Sequence, residues 1–346
     1  MAEAPSGFIT RLLPEDEYTH DPGEAKNYNE SMYFNVFDPK AQIGGWFRIG
    51  NRVNEGYAEM TVCLYLPDGR VAFMFQRPNI SDNKELNAGG LRIQVVEPFK
   101  TLKVTYSGKA LVMSQPHDMA DPKLAFANNP RVPCEVDLTY TGVSPMYGGQ
   151  TLHADGRELE IDPEKSFAKA HYEQHCAAKG SFTIDGQVIE VDGFGLRDKS
   201  WGPRHWQAID WYRWCPMNFG RDFGMMLSVI GDGKGGARQG GMVFRDGVYD
   251  LIEECVIDSD WDENGYQTAL RSKVKTKAGK EYEVTGEVMS LIPLRSRRTT
   301  PDGEQLHTRI TEGMTRYRCG DLVGYGLSEY LDQIIDGEPN GKKGGY

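Results

Sequence analysis

The 346-residue chain has no run of the ~20 apolar residues that a membrane-spanning helix requires. It is also short of positive charge, with 39 Lys and Arg against 50 Asp and Glu, a net charge of −11 at pH 7. That balance excludes the basic face of a nucleic-acid-binding protein. The six cysteines (Cys63, Cys134, Cys176, Cys215, Cys255, Cys319) are scattered, with no C-x-x-C pair. In a chain of this size they read as reduced thiols, not as a disulfide framework or a zinc knuckle. The start, MAEAPSGFITRLLPEDEY, lacks a charged segment followed by an apolar core, so no secretory signal is expected and the localisation reads as cytoplasmic. Nucleotide motifs are missing too. The run Gly231–Gly236 lacks the Gly-Lys-Ser/Thr ending of a phosphate loop and reads as a hairpin loop, Gly193-x-Gly is not a dinucleotide fingerprint, and Gly-x-Ser-x-Gly is absent. No cofactor is expected.

Long helical periodicities are scarce as well; short alternating runs broken by turn residues take their place, the pattern of an all-β protein. Tyr57 to Phe75 reads as a hairpin around Asp68-Gly69, and Phe182–Ile184 with Val188–Val191 as another around Asp185-Gly186. Further strands are predicted at 91–97, 102–106, 109–113, 225–230, 241–244, 249–256, 268–276 and 281–289. The Pro- and Asn-rich region 114–149 reads as an excursion with one short helix in DPKLAFAN, and Arg295–Arg298 as a solvated loop with an outside chance of meeting an anionic substrate.

An internal echo suggests duplication. Gly45-Trp46-Phe47-Arg48 with VCLYLPDGRVAFMF is loosely repeated as Trp211-Tyr212-Arg213 with MMLSVIGDGKGGARQGGMVF. Gly193-Phe-Gly-Leu-Arg-Asp198 is matched by Gly324-Tyr-Gly-Leu-Ser-Glu329. Paired glycines in a strand mark a bulge or the close approach of another backbone. The expected layout is an N-terminal extension at 1–30, β-domains at 31–199 and 200–336, and a disordered tail at 337–346.

Four of the six tryptophans (Trp201, Trp206, Trp211, Trp214) fall within Gly193–Trp214, among Arg197, Asp198, Lys199, Arg204, His205, Asp210 and Tyr212. Such a mixture of aromatic and charged groups reads as the lining of a pocket near the junction of the two domains.

The residues Gly195, Arg197, Asp198, Ser200, Trp201, Gly202 and Arg204, with His171-Tyr172-Glu173-Gln174 before them and Tyr325 to Tyr330 at the end, resemble the two-domain lipocalin-like superfamily of carotenoid 1,2-hydratase and kievitone hydratase (hydroxyneurosporene-synthase-like, AttH-like). The likeness spans roughly residues 40 to 335. It implies two tandem lipocalin-like antiparallel β-barrel or sandwich domains. It also implies hydratase, dehydratase, isomerase or cyclase chemistry on a hydrophobic molecule. Hydratase members commonly carry a histidine implicated in catalysis before Ser-Trp, where this chain has Lys199. Their acidic catalytic residue lies on the first hairpin of the second domain, where Asp210 and Asp222 are the nearest carboxylates and the likeness does not choose between them.

Acting on a carbon–carbon double bond requires an acid beside an apolar wall, and aromatic faces to tolerate a cation. Asp210 and Asp222 are candidate acids, lying among Trp211, Tyr212, Trp214 and Phe223. Tyr212, His205, Glu329 and Asp198 are further catalytic candidates. Arg197 and Asp198 alternate on a strand, so one of them must face inward, and an Asp198–Arg204 pair locking the two domains is preferred over catalysis because an Arg–carboxylate pair depresses the acid's pKa. Trp201, Trp206, Trp211, Trp214, Lys199, Arg204, Glu173 and Phe223 are expected to line the substrate site. His171, Glu173 and His175 share one strand face but would need a partner strand to converge on a metal, so no metal is expected. The expected function is a cofactor-independent hydro-lyase, isomerase or cyclase acting on an isoprenoid-like or polycyclic molecule. The alternatives are a non-catalytic carrier of such a ligand and a carbohydrate-active protein. The expected partner is the hydrophobic small-molecule substrate, and the oligomeric state is open, with a homodimer among the options.

Overall fold

The computed structural model describes residues 7–300 and 302–343. Its contacts group the chain into two units that divide between Ala208 and Ile209, with Met113–Asn129 and Asp68–Val71 grouped in the second. Each unit is built from one antiparallel sheet.

In the first unit eight strands follow one another around a barrel: β1 (Tyr28–Asp38), β2 (Ile43–Arg52), β3 (Tyr57–Tyr65), β4 (Val71–Gln76), β5 (Thr101–Met113), β6 (Arg131–Gly142), β7 (Ala170–Ile184) and β8 (Gln187–Pro203). The last strand returns to pair with the first, Arg197 opposite Phe34 and Trp201 opposite Glu30. The second unit repeats the plan with β9 (Trp211–Asn218), β10 (Phe223–Gly231), β11 (Ala237–Arg245), β12 (Val248–Trp261), β13 (Gln267–Thr276), β14 (Glu281–Thr299), β15 (Gln305–Cys319) and β16 (Leu322–Ile335), closed by β16 on β9. The fold is all-β, as the alternation predicts. The predicted turn at Asp185-Gly186 joins β7 to β8. Both residues have positive φ (51° and 80°), the backbone that a two-residue hairpin turn demands and Asp-Gly tolerates.

The repeated glycines mark the two closing seams. A Cβ on Gly195 would sit 1.8 Å from the Asn35 carbonyl oxygen of β1, and one on Gly326 1.9 Å from the Pro216 carbonyl oxygen of β9. Gly193 and Gly324 are tight against Phe37 and Asn218 in the same way. Only a residue without a side chain lets the last strand lie this close to the first. Gly195→Ala and Gly326→Ala are each expected to lower stability by about 1–3 kcal/mol in urea melts, because the barrel must open slightly at its seam. The two closing phrases thus occupy equivalent strands. The opening echo does not, since Gly45–Arg48 lies on the second strand of its barrel and Trp211–Arg213 on the first of the other.

Several expectations are corrected. Region 114–149 contains the short helix Pro122–Asn128 but also β6 and the strand Tyr147–His153. In β6, buried Cys134, Val136, Leu138 and Tyr140 alternate with exposed Pro133, Glu135, Asp137 and Thr139, and the proline sits near the strand's start, where a missing N–H is tolerated. The extension at 1–30 is structured over its described part, with a strand at Phe8–Arg11, a 3-10 turn at Pro14–Glu17 and the start of β1 at Tyr28. In the tail, Glu338–Pro339 pairs with the end of β16, and the Gly341 N–H donates to the Asp332 carboxylate (2.8 Å), itself bidentate to buried Arg213 (3.0 Å each). Residues 344–346 lie outside the described residues. Arg295–Arg298 belong to β14 and not to a loop.

Candidate functional site

The alternation in β6 marks the inward face of the first barrel, and the register carries that face through Phe182, Gln174 and Tyr172 of β7 to Arg197, Lys199 and Trp201 of β8. One half of this interior is aromatic, with Phe34 against Tyr140 (centroids 4.7 Å apart) and Phe47 against Phe182 (6.0 Å). The other half is charged. Arg197 donates through both terminal nitrogens to Glu17 (2.7 and 2.8 Å) and through Nε to Gln174 (2.9 Å). Tyr172 Oη and the Phe99 N–H also donate to Glu17, both at 2.7 Å. Beside them Lys199 donates to Glu30, and its ammonium lies 4.8 Å from the centroid of the Trp201 ring. Trp201 stacks on His20, which reaches Glu30 (3.1 Å) and Asp16 (3.4 Å). Burial pushes the Glu30 carboxyl up, but Lys199 and His20 outweigh burial and hold it at about 2. Lys199 and Trp201 are parts of this ionic network, because their strand parity turns them inward. Of Arg197 and Asp198, the first faces inward and the second outward.

The opposite face of β7 and β8 carries a second cluster of titratable groups. Glu173 faces Asp198 and His171 faces Ser200 across the two strands. His171 Nε2 lies 2.6 Å from Asp198 Oδ2 and 3.6 Å from Glu173 Oε1, and a ligand-type atom from each of the three falls within 4.8 Å of the others. Glu173 is fully buried, whereas the side chains of His171 and Asp198 are 43% and 23% exposed. Desolvation disfavours the imidazolium. Asp198 and Glu173 more than offset it and Arg204 opposes them, leaving the His171 pKa raised to about 9. Arg204 donates to Ser200 Oγ (2.8 Å) and the Phe167 carbonyl (2.9 Å), so it braces this face and is not the partner of Asp198. Its guanidinium lies 4.5 Å from the Phe167 ring and 5.4 Å from the Trp206 ring, with Arg48 also 5.4 Å from that indole. A cationic acid and two carboxylates thus share one strand face, and Phe167 and Trp206 flank Arg204 from the segments next to these strands.

These three donors are of a kind that holds a divalent cation. The 2.6 Å contact is that of a hydrogen-bonded pair, shorter than the ~3.3 Å edge between two ligands at ~2 Å on a tetrahedral ion. His175, the third member of the sequence constellation, is fully buried and its N–H donates to Ser144 Oγ; Asp198 takes its place in the cluster.

In the second barrel Tyr212 Oη donates to Glu329, on the face that also carries Trp214 and Glu312, both directly opposite Glu329. Glu329 holds the position in its closing strand that Asp198 holds in β8. Trp211 and Phe223 lie in the hydrophobic core of this barrel. Asp222 is exposed in the hairpin between β9 and β10, and Asp210 is half-buried, its carbonyl accepting from the Gln333 N–H. His205 lies 3.5 Å from Glu164 on a loop of the first unit.

In the sequence His171 stood in the resemblance motif and as a candidate metal ligand, not as a partner of Asp198, and Glu17 was not considered. The first could have been found, since equal counts outward from the Asp185-Gly186 turn bring Glu173 opposite Asp198 and His171 opposite Ser200.

The family described as a domain of unknown function (DUF7064) matches residues 13–334. No curated protein matches the sequence. Among solved structures, kievitone hydratase from Nectria haematococca is similar at a TM-score of 0.54 and 11% identity, covering 90% of this chain and 91% of its own. An AttH-type protein from Nitrosomonas europaea is similar at 0.55 and 12%, covering 96% and 98%. Both likenesses concern the fold.

Proposed function

The chain belongs to the DUF7064 family, and from that premise we propose that it is an enzyme that adds or removes water at, or shifts or cyclises across, a carbon–carbon double bond of a hydrophobic molecule. The observation that carries this reading is the His171–Asp198 pair, 2.6 Å apart on a partly exposed strand face beside Phe167, Arg204 and Trp206. His171 is the proton carrier. Asp198 accepts from Nε2 and stabilises the imidazolium. Nδ1 makes no hydrogen bond among the described residues and is the atom that exchanges its proton with the substrate. In the hydration direction the imidazolium gives that proton to one alkene carbon, water adds to the other, and the proton water releases restores the imidazolium. Dehydration is the reverse, and transfer of a proton out of a neighbouring C–H gives isomerisation. Aromatic ring faces in the site tolerate positive charge at the substrate carbon. Tyr212 and Glu329 form a second hydrogen-bonded acid pair in the other barrel.

The packed interior of the first barrel, filled by Phe34, Phe47, Tyr140 and Phe182 and sealed by its ionic half, disfavours a carrier that holds its ligand inside that barrel. Native mass spectrometry of the purified chain, followed by denaturing extraction, is expected to yield an apolar isoprenoid or polycyclic compound. Wild type should convert that class of compound, and His171→Gln should do so at least ~100-fold more slowly. Equal turnover by His171→Gln would remove the proposal. A stoichiometric metal in the same spectra would replace the proton-transfer role of His171 with ligation.

A further inference from the structure

β14 and β15 form a hairpin in which Arg295 lies directly opposite Arg309, and Arg297 directly opposite His307. Directly opposed residues share a face, as do residues two apart on one strand. Four basic side chains therefore occupy the corners of one rectangle, about 7 Å along the strands and about 5 Å across them. Like charges placed opposite each other destabilise a sheet, so the arrangement runs against folding in a chain whose net charge is −11. The acids within reach are few. Asp121 lies 3.7 Å from Arg295, and Asp332, opposite Arg309, is already bidentate to Arg213.

The donors are also incompletely used. Arg309 spends its terminal nitrogens on the Asn264 and Gly265 carbonyls and packs over Tyr266 (4.8 Å), while its buried Nε has no acceptor among the described residues. Arg297 is exposed and makes no hydrogen bond among them. Burial first, and then Arg297, Arg295 and Arg309, hold His307 below its ordinary pKa.

We propose that this face of β14 and β15 binds the phosphate group of a small molecule. Guanidinium groups match phosphate oxygens in geometry, and three arginines share this face with an imidazole. One compact rectangle in an otherwise acidic protein suits a single mono- or diphosphate group, whereas a nucleic acid would need an extended basic surface. The inference is independent of the His171–Asp198 chemistry.

The test is calorimetric titration of the full chain with sodium pyrophosphate and, separately, inorganic phosphate, at low ionic strength. Saturable one-to-one binding is expected, with Arg297→Gln weakening it at least tenfold, Arg297→Glu abolishing it, and Lys273→Gln, outside the rectangle, leaving it unchanged. Because Arg297 is exposed and holds nothing else in place, its variants should melt as wild type does. Pyrophosphate binding at least tenfold tighter than phosphate would identify a diphosphate-bearing ligand; equal binding would identify a single phosphate. Absence of saturable binding of both anions, or Arg297→Gln binding as tightly as wild type, overturns the proposal.

Discussion

Glu17→Gln is expected to lower the unfolding free energy by about 3–5 kcal/mol, the cost of leaving one member of a buried ion pair without its partner's charge. Glu17 and Arg197 are both essentially inaccessible to water. The carboxylate accepts from both terminal nitrogens of Arg197, from Tyr172 and from the Phe99 N–H, so one change disturbs four hydrogen bonds. Removing only the negative charge strands a guanidinium among Tyr172, Gln174 and Met146. Glu15→Gln, two residues away and exposed, is the control and should change stability by less than about 0.5 kcal/mol. Replacing both partners by Met should cost less than Glu17→Gln alone, because no buried charge is then left over. Urea melts with circular dichroism decide the matter. A loss under about 1 kcal/mol would mean that water replaces Glu17 at Arg197, so that the Pro14–Glu17 turn is not a structural plug. Limited proteolysis gives a second readout, because a turn released from Arg197 should be cut within residues 7–20.

How much of this was legible beforehand depends on the kind of signal. The hairpins at Asp68-Gly69 and Asp185-Gly186 were readable because their turn chemistry is local. The closing glycines were readable as a repeat, although only the structure shows their cause, the approach of β8 to β1 and of β16 to β9. β1 was missed because all eleven of its residues are buried, which removes the inside–outside alternation that reveals a strand. The ionic core was missed because Glu17 and Arg197 are 180 residues apart, and nothing in local sequence couples them. Asp198 was weighed as alternating with Arg197, and the register turns Arg197 and Lys199 inward and Asp198 outward. Lys199 completes the Glu30 network, while His171 lies on the adjacent strand, facing the other way.

The adjacent-strand histidine yields the second large effect. Asp198→Asn preserves the shape of the side chain but removes the charge that holds the His171 pKa at about 9, so the imidazole should titrate at least about one unit lower, towards its ordinary value near 6.5. Two-dimensional NMR of the imidazole signals, assigned by their loss in His171→Gln, measures this directly. Its linkage to stability has a definite sign. A histidine whose folded pKa is raised contributes stability that is complete below about 6.5 and is lost as pH rises through about 9. With 43% of the side chain exposed, solvent screens most of that contribution, so the NMR titration is the sensitive readout and the melting temperature is not. Activity should report the same group. If His171 is the acid, the wild-type rate falls as pH rises through about 9, and in Asp198→Asn that limb moves to near neutral. At pH 8 the variant should lose roughly 10²–10⁴ in rate, by loss of both the protonated fraction and the ring's orientation. Glu173→Gln should shift the limb in the same direction but less, since Glu173 lies 3.6 Å from the imidazole where Asp198 lies 2.6 Å away. An Asp198→Asn profile that overlays wild type would break the link between this pair and the chemistry, leaving the hydrogen bond a brace between β7 and β8.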